Sequence, residues 1–188
     1  MQHPDAWESV SGQTMGLELG YLQRLVAALP GGAVVVELGV CQGRSLCALA
    51  LACQGTDKVV YGVDDFDPAN PGYVTPDFDS TKANVERLGL GQWVRIVKSD
   101  STRAGLDWRG PKVSLLFHDA SHFYDKVKAD LLAWLPHVEG YVCLHDYTGE
   151  DEGQIGVSQA ANELLGKPIE VHPRLGVFRW TGEAKTSS

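Results

Sequence analysis

The chain has 188 residues, enough for one domain of ordinary size. Its formal net charge of −8 argues against proteins that bind phosphate backbones or anionic lipids through basic surfaces. Its cysteines lack the spacing of a metal site or a disulfide framework, and no apolar run is long enough to span a membrane. The first ten residues lack a basic region followed by an apolar stretch, so no signal peptide is predicted. We therefore expect a soluble cytoplasmic protein.

Apolar patterning predicts alternating helices and strands along the chain. In chain order these are helix 14–29, strand 33–38, helix 44–53, strand 58–63, helix 80–88, strands 93–98 and 112–117, helix 122–135, strand 141–145, helix 157–165, and strands 169–171 and 176–180. Continuous apolar strands between helices are typical of a mostly parallel sheet covered on both faces. The sequence predicts a single doubly wound α/β domain, with a helical segment at 1–30, a core at 31–180 and a disordered tail at 181–188.

Acidic residues stand at or near the carboxyl ends of five predicted strands. They are Glu37, Asp64, Asp100, Asp119 and Asp146. Ligands of open parallel sheets bind outside these strand ends, so the five carboxylates should share one edge. Any one aspartate could simply cap a helix or a turn. Five in succession favour a site for a cationic ligand, a divalent metal, or both.

A glycine-rich loop, ELGVCQGRS at residues 37–45, joins the first strand to its helix. It lacks the glycine spacing and the lysine of a P-loop, and Cys41 replaces the second glycine of a dinucleotide fingerprint. It matches the E-x-G-x-x-x-G-x-S pattern of S-adenosylmethionine loops, while a purely structural turn stays open as the alternative. Asp64 ends the next strand, 21 residues after Gly43, where an acid can accept hydrogen bonds from both ribose hydroxyls.

Together with a later segment, this loop resembles class I S-adenosylmethionine-dependent methyltransferases. A group of small members joins such a loop to a D-x-x-H-x-Y…HDY pattern, here DASHFY at 119–124 and HDY at 145–147. The similarity spans about residues 17–180 and implies a Rossmann-like, mostly parallel sheet with an antiparallel final strand. It also implies S-adenosylmethionine as cofactor and methyl transfer, most readily to a small-molecule hydroxyl. A non-methylating relative like the cephalosporin hydroxylase-like proteins, or a cofactor-binding regulatory module without turnover, remains as an alternative.

The same resemblance assigns cofactor contacts position by position. The methionine end would be held by the loop, the ribose by Asp64, and the adenine would lie beside the residues that follow the third strand. The implied cofactor-binding residues are Glu37, Gly39, Gly43, Ser45, Asp64, Asp100, Ser101 and Asp119.

Related metal-dependent methyltransferases bind magnesium at the next two strand ends. By that resemblance Asp119 and Asp146 are carboxylate ligands, and the third ligand position falls on His145 or Tyr147. Neither is a hard oxygen donor of the kind that Mg²⁺ prefers, so Asp119, His145 and Asp146 would better suit a softer divalent ion. The metal-free alternative makes His122 or His145 a general base. Of the two, we expect His122 to be the base and His145 a ligand or orienting residue.

Two loops, 65–79 and 147–156, open on the same edge of the predicted sheet. They are predicted to form a lid and substrate wall, with Phe66, Tyr73, Phe78 and Tyr147 as contacts; solvated connections are the alternative. No other segment could form a substrate domain, so the pocket would be shallow or completed by a second copy of the chain. The expected partner is a small molecule, with neither nucleic acid nor membrane, and a homo-oligomer fits the sequence.

Overall fold

The computed structural model describes residues 3–69, 74–149 and 152–182. In chain order its elements are a 3-10 helix at Ala6–Ser9, α1 (Gly16–Ala28), β1 (Val34–Leu38), α2 (Arg44–Leu51), β2 (Val59–Asp64), α3 (Phe78–Arg87), β3 (Val94–Lys98), α4 (Ser101–Leu106), β4 (Val113–His118), α5 (Tyr124–Trp134), a 3-10 helix at Leu135–His137, β5 (Val138–Leu144), α6 (Glu152–Leu165), β6 (Glu170–Val171) and β7 (Gly176–Trp180).

These strands form one sheet in the order β3-β2-β1-β4-β5-β7-β6. The neighbours from β3 to β5 are parallel, whereas β7 runs antiparallel to both β5 and β6. The predicted doubly wound sheet with an antiparallel final strand is confirmed. None of the helices in the described ranges is long and apolar enough to cross a membrane.

Sequence patterning located most elements and missed those that carry little periodic signal. Helix α4 was not predicted, because six residues are too few to show a helical repeat. Strand β5 begins at Val138 rather than at 141, since Glu139 and Gly140 interrupt its apolar run. Helix α6 begins at Glu152 rather than at 157. Of the predicted tail at 181–188, residues 183–188 lie outside the described residues.

Alternate residues of the central strands pack into two separate cores. Val35 of β1 packs into the core built with α1 and α2, whereas Val34 and Val36 pack into the core built with α5 and α6. Successive side chains of a strand point to opposite faces, so a strand buried on both faces reads as an unbroken apolar run. The two faces of the central strands are therefore occupied by core packing, and in such sheets ligands bind outside the carboxyl ends of the strands.

A buried lysine holds the end of the first long helix. Lys58 is 4% exposed, and its Nζ donates hydrogen bonds of 2.8 Å to the carbonyl oxygens of Val26 and Ala27 at the end of α1. The last carbonyls of a helix have no partner within the helix, and a cation is favoured at that end. Lys58 thereby fixes α1, whose opposite end lies at the candidate site.

The buried side chain of Asp130 connects its own helix, α5, to α4 and β4. Its Oδ1 accepts hydrogen bonds from the hydroxyls of Ser101 and Thr102 at 2.7 and 2.6 Å, and its Oδ2 lies 3.0 Å from Nε2 of His118. Burial raises the pKa of Asp130, but the hydrogen bonds from His118, Thr102 and Ser101 outweigh burial and lower it overall. This network fixes the start of α4, which carries Asp100.

Removing Asp130 is expected to destabilise the domain. Asp130→Ala leaves the buried His118 and the half-buried Ser101 and Thr102 without their shared acceptor. It should lower the free energy of unfolding by about 3 kcal/mol. A lowered folded-state pKa means that Asp130 stabilises the fold above its unfolded-state pKa, and that this contribution is lost as pH falls through the folded value. Unfolding in denaturant at several pH values should therefore show a steeper loss of stability on acidification for wild type than for Asp130→Asn. The exposed Asp125 of the same helix supplies the control, and Asp130→Ala would contradict the prediction if it were as stable as Asp125→Ala.

Candidate active site

Backbone conformations that favour glycine shape the loop between β1 and α2. Gly39, Cys41 and Gly43 have φ angles of +87°, +56° and +89°. A Cβ added to Gly39 would overlap the carbonyl oxygen of Asp119, so only glycine lets this loop lie against the backbone that follows β4. The loop thus presents the N-terminus of α2 at the carboxyl edge of the sheet, where backbone N–H groups can meet polar ligand groups.

Asp64, at the end of β2, holds the same loop. Its Oδ2 accepts hydrogen bonds from the N–H groups of Val40 and Cys41 at 2.7 and 2.8 Å, and its Oδ1 accepts one from Phe66 at 2.7 Å. A carboxylate has about four acceptor positions, so these three donors leave room for one more. Asp64 sets the loop conformation in addition to its predicted role toward a ribose.

Glu37 lies beneath the loop. Its side chain is fully buried and accepts a hydrogen bond from the Ser45 hydroxyl. Burial raises the pKa of Glu37 well above its ordinary value despite that hydrogen bond, and the charges of Asp119 and Asp64 raise it further. Its second oxygen, Oε2, has no hydrogen-bond partner among the described residues. That oxygen is therefore available for a hydrogen bond with a ligand.

Asp100 and Ser101 lie where β3 passes into α4. The Oδ1 of Asp100 accepts a hydrogen bond of 2.8 Å from the N–H of Arg103 and so caps the helix. The Ser101 hydroxyl donates to Asp130, inside the buried network. A ligand at this position would therefore meet the side chain of Asp100 and the backbone of Ser101.

A cavity of about 630 Å³ lies beside the glycine loop, lined in part by Gln42, Phe66, Phe78 and Lys98. The rings of Phe66 and Phe78 pack edge to face with centroids 5.3 Å apart. Two predicted wall residues thus line one cavity. Tyr147 instead packs on Phe178, with its hydroxyl donating to Asn162 at 2.9 Å. Tyr73 lies outside the described residues.

Beyond β4 and β5, His145 lies between two carboxylates. Its Nδ1 is 3.1 Å from Oδ1 of Asp119 and 3.2 Å from Oδ2 of Asp146. Neither oxygen is aligned for a hydrogen bond, so this buried nitrogen has no hydrogen-bond partner in the described part of the chain. Asp146 adopts a left-handed φ of +54°, uncommon for a residue with a side chain and often found at functional sites.

The charges of this cluster shift its protonation equilibria. Burial lowers the pKa of His145, but Asp119, Asp146 and Glu18 outweigh burial and raise that pKa to about 12. Burial likewise raises the pKa of Asp146, and contacts with His122 and His145 outweigh it, so that the pKa is lowered overall. The carboxylates therefore favour a positive charge at His145, whether a proton or a metal ion supplies it.

The inner atoms of the cluster fit a divalent metal ion. Nitrogen and oxygen ligands about 2.1 Å from one ion lie about 3.0–3.4 Å from each other, for octahedral or tetrahedral angles. His145 Nδ1 lies 3.1 and 3.2 Å from the two carboxylate oxygens, within that range. The three donor atoms of Asp119, His145 and Asp146 all lie within 4.8 Å of one another. One imidazole nitrogen with two carboxylate oxygens suits a softer ion than Mg²⁺. Such an ion would also satisfy the unpartnered nitrogen.

His122 is the histidine of this site that solvent reaches. Its side chain is 38% exposed, against 6% for His145, and its Nε2 lies 3.0 Å from Oδ2 of Asp146. An ionised aspartate beside one ring nitrogen orients the imidazole and leaves the other nitrogen free. The two histidines therefore occupy different environments, one at the mouth of the site and one inside it.

Three residues that sequence reasoning missed, Thr14, Glu18 and Arg174, surround the cluster. The contacts are a Thr14 hydroxyl donating to Asp119 Oδ2 at 3.1 Å, Glu18 Oε2 lying 3.1 Å from His145 Nε2, and the Arg174 guanidinium pairing with Asp146 Oδ1. Glu18 carried one signal: it stands four residues before Leu22 and seven before Leu25, on the apolar face of the predicted helix. A glutamate at such a position is buried and needs a partner.

Comparison with known proteins identifies the family. A family model described as a methyltransferase domain matches residues 36–147. The chain belongs to this methyltransferase family. The resemblance to S-adenosylmethionine-dependent methyltransferases is thereby confirmed, although a search of curated proteins finds no match to this sequence.

Solved structures share the fold of this methyltransferase. The O-methyltransferase NovP is 18% identical, over 87% of this chain and 79% of its own, with a TM-score of 0.71. TomG from Streptomyces achromogenes, an O-methyltransferase involved in tomaymycin synthesis and solved with S-adenosylmethionine, is 15% identical over 90% and 82%, with a TM-score of 0.68. An O-methyltransferase from Bacillus cereus, solved with S-adenosylhomocysteine, is 17% identical over 88% and 76%, with a TM-score of 0.63.

Proposed function

We propose that this methyltransferase transfers the methyl group of S-adenosylmethionine to a hydroxyl of a small molecule. The observation that carries the proposal is the close packing of Gly39 against Asp119, which places the glycine loop directly beside the histidine–aspartate cluster. The solved O-methyltransferases of the same fold support it, since two of them hold this cofactor or its product. The net charge of −8 disfavours a nucleic-acid acceptor.

The glycine loop and its flanking acids form the proposed cofactor site. Glycines at 39 and 43 allow close approach to the loop, and Glu37 Oε2 lacks a protein partner. Asp64 has one acceptor position left for a ribose hydroxyl, and Asp100 lies at the end of the next strand. When bound, S-adenosylmethionine supplies an electrophilic methyl group on a positively charged sulfur. The acidic residues of this edge favour that charge.

His122 is the proposed proton acceptor for the hydroxyl. Asp146 Oδ2 lies 3.0 Å from Nε2 of the ring, and its negative charge favours a proton on that nitrogen. The Nδ1 lone pair is then left to take a proton from an acceptor at the mouth of the site. Asp119, His145 and Asp146 would hold a divalent ion, which when bound would make a nearby hydroxyl more acidic. The protein itself then has to hold the acceptor oxygen in line with the methyl group and exclude water from it.

Replacing Asp64 is expected to weaken cofactor binding. Asp64→Ala removes a charge-assisted contact to the ribose and frees the loop. The binding free energy of S-adenosylmethionine, measured by calorimetry, should therefore become less favourable by about 1.5–3 kcal/mol. The neighbouring exposed Asp65 gives the matched control, Asp65→Ala. Loss in Asp65→Ala with none in Asp64→Ala would reverse the assignment. Wild type that binds neither S-adenosylmethionine nor S-adenosylhomocysteine would refute the proposed cofactor.

Removal of divalent ions is expected to abolish methyl transfer, and one added ion should restore it. An acceptor is first found by screening small hydroxylated compounds, with product mass spectrometry as the readout. The physical reason is that an ion held by Asp119, His145 and Asp146 would make the acceptor hydroxyl more acidic, and its removal would leave the proton on that hydroxyl. Full activity in excess chelator would eliminate the metal and leave His122 as a metal-free base. Cofactor binding without turnover on any acceptor would instead favour a regulatory module.

A further inference from the structure

Each proposed metal ligand has one atom facing the cluster and one atom with a partner outside it, and the inner oxygen of Asp146 also lies 3.0 Å from Nε2 of His122. The inner atoms are Asp119 Oδ1, His145 Nδ1 and Asp146 Oδ2. The outer atoms, Asp119 Oδ2, His145 Nε2 and Asp146 Oδ1, contact Thr14, Glu18 and Arg174 in turn. This division of inner and outer atoms is what a metal centre needs, because an outer partner fixes the orientation and the tautomer of a ligand.

Two of the three outer partners come from the N-terminal segment, residues 3–18, which the family match at 36–147 does not include. Glu18 is fully buried, and besides His145 it accepts hydrogen bonds from the N–H groups of Met15 at 3.3 Å and Arg174 at 2.8 Å. Its carboxylate therefore joins α1 to both the cluster and the turn before β7.

Arg44, at the start of α2, holds this segment on the domain. Its Nη1 donates to the carbonyl oxygen of Val10 at 2.8 Å, its Nε donates to that of Thr14 at 3.3 Å, and its guanidinium lies 4.7 Å from the centre of the Trp7 ring. Gly12 packs so closely on Arg44 that an added Cβ would overlap its side chain. The segment is thus a fixed part of the structure at the site.

We propose that the N-terminal segment positions the metal centre, with Glu18 setting the ring of His145 and Thr14 setting the carboxylate of Asp119. A carboxylate at Glu18 accepts Nε2–H, which leaves the lone pair on Nδ1, the inner atom. A hydroxyl on Asp119 Oδ2 leaves Oδ1 to face inward. Both residues act through the ligands and are positioning residues; the inference rests on the metal centre of the proposed function.

Glu18→Gln and Thr14→Val test these two contacts. With its NH₂ group in place of Oε2, glutamine keeps the hydrogen bond from the Arg174 N–H through its carbonyl oxygen and loses the longer one from Met15. The NH₂ group facing Nε2 would favour the tautomer with the proton on Nδ1, which cannot bind a metal through that nitrogen. Valine keeps the size of threonine and removes its hydroxyl. The exposed Glu8 gives the matched control, because Glu8→Gln removes the same charge from the same segment.

The metal-stripped full chain is titrated with Co²⁺ alone, whose visible absorption reports its ligands. Glu18→Gln should weaken Co²⁺ binding about 10–100-fold and Thr14→Val by a smaller factor, both with altered spectra. Glu8→Gln should bind as wild type does. Affinity for S-adenosylmethionine should be unchanged in all three variants.

The outcomes separate the inference from the function beneath it. Wild-type Co²⁺ affinity and spectra in both Glu18→Gln and Thr14→Val would overturn the positioning role while leaving methyl transfer intact. Wild type that binds no Co²⁺ would overturn both the metal centre and this inference, and cofactor binding would still test methyl transfer separately. If circular dichroism shows that Glu18→Gln does not fold, Thr14→Val decides by itself.

Discussion

His122→Ala is expected to lower turnover about 10²–10⁴-fold while leaving the affinity for S-adenosylmethionine nearly unchanged. The reason is that His122 is the partly exposed histidine held by an ionised aspartate, with one ring nitrogen left free, whereas His145 is buried among carboxylates. Steady-state kinetics with saturating cofactor measures turnover, and calorimetry measures cofactor affinity.

Two further histidine variants make this experiment decisive. His3→Ala removes a histidine whose side chain is 76% exposed and should keep wild-type turnover. His145→Ala should lose metal together with activity, because it removes an inner donor. Near-normal turnover in His122→Ala, beside an inactive His145→Ala that still binds metal, would reverse the two roles.

Gly39→Ala is expected to disrupt both the fold and the cofactor site. The added methyl group would overlap the backbone of Asp119, at a φ of +87° that alanine rarely adopts. Neither backbone can retreat easily, since the N–H of Gly39 donates to Val63 at 2.9 Å and that of Asp119 donates to Leu38 at 2.8 Å. We expect the free energy of unfolding to fall by about 4 kcal/mol or more, and cofactor binding to be lost.

Gly55→Ala separates backbone strain from steric overlap. Gly55 has a φ of +77°, close to that of Gly39, but a Cβ there would meet nothing within 4 Å. Its substitution should cost about 1–2 kcal/mol, the strain of a left-handed alanine. Equal losses in Gly39→Ala and Gly55→Ala, measured by denaturant unfolding, would show that the close approach to Asp119 contributes nothing.

The sequence alone determined the fold class and the edge of the sheet at which the site lies. Apolar runs such as 33–36 predict strands buried on both faces, and the sheet is built from them. The acidic residues at or near the ends of the first five strands can be read directly from the local sequence. Parallel strands place their carboxyl ends at the same edge of a sheet, so these acids were expected at one edge. The resemblance to metal-dependent methyltransferases grouped Asp119, His145 and Asp146, which follow the adjacent strands β4 and β5.

Which side chains face into the site, and which residues they pair with, depends on the tertiary structure. Glu18 and His145 are 127 residues apart in the chain and 3.1 Å apart in space, and no local pattern records such a pair. Ser101 follows a strand end, yet its hydroxyl turns to Asp130, because a buried carboxylate must be satisfied by whatever donors surround it. Periodicity predicts which face of an element is buried; the pairing of polar groups depends on how those faces pack, and packing is a property of the whole chain.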